Sequence, residues 1–358
     1  MRAAAKCFSA LFAAVLTLAP LCRPAFSAEG ALSFEGDMRL RFRYLDPSPG
    51  SPGSGLLLRL RLAGEALITE NLSAGFRIAS GDAHPATADQ MLGESFAKYG
   101  LRLDYCFINY RTAVFDINAG KFPRRSLLWT PSDLIWGEEV TPDGFSLRYT
   151  GRLLDFSAGT GVFIIGLPEE GSGCPLMWMS QLRGAACLSR DVKIEGAAAY
   201  YGFENLRGRS LTHSAGTNTT DGEGNLIYGY DSLGAGVTLS FPVPALNTAS
   251  LFGEFVHSFD PGDSGFLAGV RGGSPVIRTW PDWNITHLYR RLERDAWPDI
   301  TIDRGVYGGR TGASGTVTTL AAALAENTAL DLAFFSMKTL TGDRRAENLL
   351  QLSFTVTF

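Results

Sequence analysis

The sequence predicts an all-β fold: a transmembrane antiparallel β-barrel of sixteen strands (14–18), with short periplasmic turns at one end and long extracellular loops at the other. Three observations predict it. Polarity alternates with a period of two along nearly the whole chain beyond residue 30, the signature of extended strands. The apolar faces are almost free of charge while the opposite faces carry arginine. The connections between alternating segments are short and long by turns. Together these describe strands with lipid outside and water inside, whose spans of about 10 residues escape a search for long apolar helices.

The N-terminal segment fits export. Arg2 and Lys6 precede an apolar run from Phe8 to Leu21 and the small-residue stretch Ala25-Phe26-Ser27-Ala28. This is the layout of a cleaved signal peptide, so residues 1–28 are expected to be removed and 29–358 to form a single barrel domain. A lipid anchor at Cys22 is disfavoured because Leu21 stands where a small residue is needed. Cys106, Cys174 and Cys187 remain beyond the signal. Their spacing matches no metal motif, a Cys174–Cys187 bridge is left open, and no metal or cofactor is expected.

The first spans set the pattern. GDMRLRFRYLD puts Met38, Leu40, Phe42 and Tyr44 on one face and Arg39, Arg41 and Arg43 on the other. LLLRLRLAGEAL repeats it with Leu58, Leu60 and Leu62 against Arg59 and Arg61, and LSAGFRIAS gives Phe76 and Ile78 against Arg77. Further strands are expected near 101–111, 113–121, 142–150, 152–165, 177–190, 192–203, 228–241, 247–259, 265–273, 280–293, 311–325, 328–340 and 348–358. The pair 311–340 is the hardest to read, because TLAAALAENTALDLAFF is rich in helix formers. Leu330, Leu332 and Phe334 alternating against Asp331 and Ala333 decide for a hairpin. Tight turns are expected at Glu70-Asn71, Arg111-Thr112, Gly151, Asp191, 242–246, Gly273-Ser274 and Glu326-Asn327. The longer connections are 46–54, 81–100, 122–141, 166–176, 204–227, 260–264, 294–310 and 341–347.

The last segment, LLQLSFTVTF, has Leu350, Leu352, Phe354, Val356 and Phe358 on one face and only uncharged polar residues on the other. A barrel accounts for this. In hydrocarbon every backbone N–H and C=O must be paired, so the sheet must close, and the last strand must meet the first. A soluble β-sandwich also alternates, but its outward faces carry lysine and glutamate freely.

GDMRLRFRYLD, the run from Leu56 to Asp82, LDYCFINYR with AGKF, LIWGEEVTPDGFSLRY, HLYRRLERDA and the terminal LSFTVTF resemble, in that order, the "putative porin" family of Gram-negative outer-membrane proteins. The resemblance covers nearly all of the chain beyond residue 30. It implies a porin-like barrel in the outer membrane, set among lipid and lipopolysaccharide. It also implies a C-terminal strand, ending in Phe358, that the outer-membrane assembly machinery recognises. Sixteen-stranded porins commonly form trimers, so a homotrimer is expected on the same footing. The resemblance names no solute.

Two groups of residues could govern passage of small hydrophilic solutes or ions. Arg39, Arg41, Arg43, Arg59, Arg61 and Arg77 form a basic ladder on adjacent strands, and guanidinium stays charged at any relevant pH. Such a wall attracts anions, unless loop carboxylates pair with it. The connection 122–141 carries Trp129, Trp136, Asp133, Glu138, Glu139, Arg124 and Arg125. In sixteen-stranded general porins the third loop folds inward, and by that resemblance this loop is the expected constriction. A passive channel with mild anion preference is therefore the leading reading, and a solute-specific channel with a binding site in the constriction the alternative. A barrel hydrolase would need His84, His213, His257 or His287, but none has the spacing of a nucleophile elbow or a zinc site. Loop 204–227, polar and glycine-rich, suits a mobile external surface. A net charge of −4 gives no reason to expect a nucleic-acid partner.

Overall fold

A computed structural model describes residues 32–93, 95–151, 155–168, 173–244, 246–342 and 345–358. The proposed signal peptide, with Cys7 and Cys22, lies outside the described residues.

Sixteen antiparallel strands close a barrel: β1 Leu32–Ser48, β2 Gly53–Thr69, β3 Leu72–Ser80, β5 Leu101–Arg111, β6 Phe115–Lys121, β7 Asp143–Thr150, β8 Phe156–Ile164, β9 Leu176–Cys187, β10 Lys193–Glu204, β11 Ser232–Val243, β12 Asn247–Ser258, β13 Ser264–Gly273, β14 Trp283–Leu292, β15 Ala313–Ala325, β16 Thr328–Thr339 and β17 Ala346–Thr357. A two-residue strand, β4 (Gln90–Met91), belongs to the connection after β3 and pairs with Leu57 and Leu58 of β2. It supplies hydrogen bonds to the part of β2 that the shorter β3 does not reach. Each barrel strand pairs with its sequence neighbours, and β1 pairs with β17 from Asp37↔Thr357 to Ser48↔Ala346. Gly36 and Phe358 exchange N–H···O bonds at 2.8 and 2.9 Å, which seals the seam. An open seam would leave a row of unpaired amides in hydrocarbon, at several kcal/mol each.

The alternation sorts the faces. Leu40, Phe42, Leu350, Leu352 and Phe354 are exposed on the outside of the seam, continuous with Leu58 and Leu60 across β1 and β2. Such a continuous apolar band is far beyond what a soluble surface carries, and it suits lipid. Aromatic side chains gather near both rims: Phe115 with Tyr149 at one, and Trp178, Tyr200 and Phe259 at the other, with ring centroids 5.0 and 6.2 Å apart along the trio. This is the interfacial placement that amphipathic rings prefer.

The ambiguous segment forms the hairpin β15–β16, with Thr318↔Phe334 and Leu320↔Leu332 in register. Two connections differ most from expectation, and the expected start of β8 at 152–154 lies outside the described residues. The turn proposed at Gly273-Ser274 extends to nine residues, 274–282, because the Pro281 region does not continue the ladder and β14 starts at Trp283. The first loop shrinks to 49–52, since β1 and β2 both run 17 residues and continue pairing up to Leu45↔Gly53. No helix of the described residues is long and apolar enough to cross a membrane. Cys106, Cys174 and Cys187 form no disulfide.

The core lies inside the barrel, where three connections turn inward. Loop 3 (122–142) and the first part of loop 7 (293–312) pack on the inner faces of β8 to β14, Val306 and Tyr307 of loop 7 pack on β15 to β17, and loop 5 (205–231) bonds to loop 7. Trp136 of loop 3 sits 6.1 Å from Trp297 of loop 7, and Trp297 stacks edge-on against Tyr201 of β10 at 4.8 Å. Loop 5 does not lie free. Thr217 N–H and Oγ1 donate to Asp299, Thr219 N–H and Oγ1 to Asp295, and Tyr230 OH to Asp295 at 2.7 Å, all on loop 7. Buried carboxylates cost too much to leave unbonded, so the two aspartates fix this polar loop by its hydroxyls and amides.

Candidate channel constriction

Loop 3 is held across the lumen by β9, β11, β12 and β14 and by loop 7. Gln181 of β9 brackets Trp129, accepting from its N–H at 2.8 Å and donating to its carbonyl at 2.9 Å. Ser132 Oγ donates to Glu254 of β12. Arg290 of β14 donates to the Leu134 carbonyl at 3.0 Å, and Thr301 of loop 7 donates to the Ile135 carbonyl at 2.7 Å. Pro131 seats against Gly236 of β11, where a Cβ would stand 2.6 Å from its Cδ. Any larger side chain there would lift the loop from the wall. Leu127, Leu128, Leu134, Ile135 and Trp136 are all buried.

The far end of loop 3 reaches the ladder. Glu139 bridges Arg59 and Arg61 of β2 at 2.5 and 2.9 Å, and Asp37 of β1 bridges the same two arginines from below. Asp89 of loop 2 (81–100) bridges Arg39 and Arg41 at 2.7 and 2.9 Å. Arg77 pairs with Asp104 at 2.6 Å and lies over the Tyr105 ring. Five of the six ladder arginines therefore carry carboxylate partners. Arg43 forms no ion pair with a described carboxylate and lies towards the long-loop rim, opposite Gln351. Burial pushes the Glu139 and Asp89 carboxyls up, but the flanking guanidiniums offset this and hold both below the usual carboxylate range. The ladder is thus largely ion-paired, six guanidiniums against four carboxylates, rather than a bare cationic wall.

What remains open is a cavity of about 950 Å³. Arg39, Arg41 and Arg59 line one side of it, with Asp331, Gln351 and Ser353 of β16 and β17 beside them. Loop 3 contributes Arg124, Arg125, Asp133 and Glu138, and loop 7 contributes Asp303. Arg125 pairs with Glu138 at 2.9 Å in an exposed position, whereas Arg124 is buried and donates to Thr130. Arg61, Arg43, Arg77 and Glu139 stand outside this cavity lining. Asp89, Asp37, Asp104, Asp303 and Arg271 carry as much of the local charge and escaped the sequence reading. Only Asp331 had a signal there, as the inward residue between Leu330 and Leu332.

Asp303 lies in loop 7, outside the spanning strands. Burial, together with the charge of Asp133, raises its carboxyl to about 6, against the pull of the Gly305 N–H and of Arg41, and with Glu139 adding to the rise. The folded protein therefore holds this proton more tightly than the unfolded chain. Stability contributed by Asp303 is full below 3.8 and is lost as pH rises through about 6. For conduction the consequence is a lumen that loses one negative charge on acidification. Lowering pH from about 7.5 to about 5 should shift the zero-current potential in a salt gradient towards anions. Asp303→Asn should remove most of that shift, and an unaltered pH response in the variant would exclude Asp303 from the conduction path.

None of the four histidines lines the cavity. His257 and His287 project from the outer faces of β12 and β14, bonded to Ser264 and Thr318 on neighbouring strands at 2.9 and 2.8 Å. His84 and His213 pack edge-to-face where loops 2 and 5 meet, and no cluster of metal-ligating side chains is present among the described residues.

The sequence matches a family model described as "Putative porin" over residues 54–228 and 238–358. No curated protein matches it. Solved structures with similar folds include Pseudomonas putida OprB at high pH (13% identity, 91% of this chain and 94% of that one, TM-score 0.60). The outer membrane channel DcaP of Acinetobacter baumannii is 12% identical over 94% and 100%, with a TM-score of 0.54. Salmonella typhi OmpF in complex with daunomycin is 11% identical over 92% and 98%, with a TM-score of 0.52. At these identities the likeness is one of fold.

Proposed function

The chain belongs to the "putative porin" family of outer-membrane channels, and from that premise we propose that it passes small hydrophilic solutes by passive diffusion through a constriction formed by loop 3. The observation that carries this reading is the placement of loop 3. It is fixed against β8 to β14, and it leaves open a cavity of about 950 Å³ that both the β1–β2–β16–β17 wall and the opposite wall line. A sixteen-stranded barrel is wide enough to hold water, and an inward loop narrows it without closing it. Guanidiniums and carboxylates alternate around the gap, so a strong local field acts on whatever passes. Such a field favours hydrated, dipolar solutes over apolar ones. Transport of this kind needs positioning and charge but no covalent chemistry.

Because most of the ladder is ion-paired, its anion preference is weak. Single-channel recording of the refolded protein under a salt gradient tests the reading. Stepwise, ohmic conductance with a small anion-favouring potential is expected. A folded barrel that conducts nothing would overturn it.

A further inference from the structure

Nine guanidiniums line the central cavity: those of the ladder residues Arg39, Arg41 and Arg59, and those of Arg124, Arg125, Arg148, Arg183, Arg271 and Arg290. Six of them are paired with carboxylates: the three ladder residues as described, Arg125 with Glu138, Arg148 with Asp116 and Arg183 with Glu195. Of the other three, Arg124 and Arg290 are committed to loop 3, through hydrogen bonds to Thr130 and to the Leu134 carbonyl. Arg271 of β13 differs from both. It is exposed to the lumen, forms no ion pair with a described carboxylate, and keeps only a 3.2 Å bond from Nε to Thr286 Oγ1. Its guanidinium lies 5.2 Å from the centroid of the Phe252 ring.

The ground beside it is apolar. Gly269 faces inward two residues before Arg271, and a Cβ there would stand 2.6 Å from Phe252 Cζ and 2.8 Å from Leu288 Cβ. The missing side chain lets the Phe252 ring lie across β13 towards Leu288. Leu128 and Trp129, from the near end of loop 3, border the same cavity. A charge with free donors at the edge of an apolar shelf, in a wet lumen, is the arrangement that holds an anion with an apolar body.

We propose that Arg271 and the Phe252–Leu288 shelf form a solute subsite for carboxylates bearing a flat or apolar body. The proposal rests on the channel reading and deepens it, by naming a substrate class. The carboxylate is held by the free guanidinium N–H groups of Arg271, and the body rests against Leu288 and the edge of Phe252 that borders the cavity. The site orients and retains such solutes long enough to raise their flux over that of equally small neutral ones.

The test uses sodium benzoate, sodium acetate and benzyl alcohol on the refolded full-length barrel. Benzoate is expected to reduce chloride current with saturation, at concentrations about tenfold below those at which acetate does so, and benzyl alcohol to have little effect. Arg271→Gln should weaken benzoate about tenfold while leaving the barrel folded and conducting. Phe252→Ala should abolish the advantage of benzoate over acetate. Equal potency of benzoate and acetate in the native protein, or an unchanged benzoate response in Arg271→Gln, would overturn the proposal. Calorimetric titration of the detergent-solubilised barrel with benzoate separates the two readings. Saturable heat lost in Arg271→Gln supports the subsite even if no current flows, and absence of heat in a conducting barrel removes the subsite while the channel stands.

Discussion

Deletion of residues 126–137 is expected to raise single-channel conductance about two- to threefold, since a bare sixteen-stranded barrel encloses a wide aqueous lumen. The deletion is geometrically mild at its ends. Lys121 and Asp143 are directly paired across β6 and β7, so the nine residues left between them, 122–125 and 138–142, suffice to turn the chain. It is severe for the interior. Leu127, Leu128, Leu134, Ile135 and Trp136 leave together, and Tyr201 and Trp297 lose the ring that covers them. Each such buried side chain is worth about 2–5 kcal/mol when truncated. The melting temperature should therefore fall, but the hydrogen-bonded wall persists because its ladder owes nothing to loop 3. Heat-modifiable migration in gels and circular dichroism check that the barrel has formed. Conductance is then read on the folded fraction. Unchanged conductance would mean that ions bypass loop 3 altogether.

That experiment also isolates how the loop is held. Its contacts with β9, β12 and β14 are hydrogen bonds to backbone from Gln181 and Arg290 and a hydroxyl bond to Glu254. Its contact with β2 is the ion-paired Glu139. A loop tied at both ends and packed in the middle is a fixed constriction. The conductance of the intact protein should accordingly show few substates.

The wall of this channel was legible in the sequence and its interior was not. Strand register depends on alternation, which is local, and so Arg39, Leu40, Arg41 and Phe42 could be assigned to faces without any partner in view. Even the helix-prone run around Ala321–Ala325 obeyed the alternation, because tertiary pairing with β14 and β16 outweighs intrinsic propensity. Charge pairing is not local. Asp89 is 48 residues from Arg41 and Glu139 is 80 from Arg59, and nothing in the spacing announces either. The inward course of residues 122–141 was drawn from resemblance, with the two tryptophans as its only support in the residues. The clamp between loops 5 and 7 left no trace beyond threonines and an asparagine in a loop that otherwise looks mobile. Arg271 sits in VRGG, where a single arginine among glycines gives no sign that it would face the lumen exposed and without a described carboxylate partner.

Replacing Arg39, Arg41 and Arg59 together by alanine is expected to reverse the sign of the zero-current potential in a salt gradient, from weakly anion-favouring to cation-favouring. The reasoning turns on what the arginines leave behind. In the native lumen Asp89 is shared by Arg39 and Arg41, and Asp37 and Glu139 by Arg59 and Arg61. Without the three guanidiniums Asp89 has no cation, and Arg61 alone faces both Asp37 and Glu139. The cavity keeps Asp133, Asp303 and Asp331 as well, so the constriction changes by three unit charges towards negative. Breaking half-buried pairs costs about 3–5 kcal/mol each when one charge is left alone, less here because lumen water and mobile cations screen the orphaned carboxylates. The barrel should fold at reduced stability. The complementary change, Asp89→Asn with Glu139→Gln, frees the ladder and should strengthen anion preference beyond that of the native protein. Opposite shifts from the two variants would show that ions pass along β1 and β2. Shifts of the same sign, or none, would place the conduction path against the far wall, where Arg271 and the underside of loop 3 would then carry the selectivity.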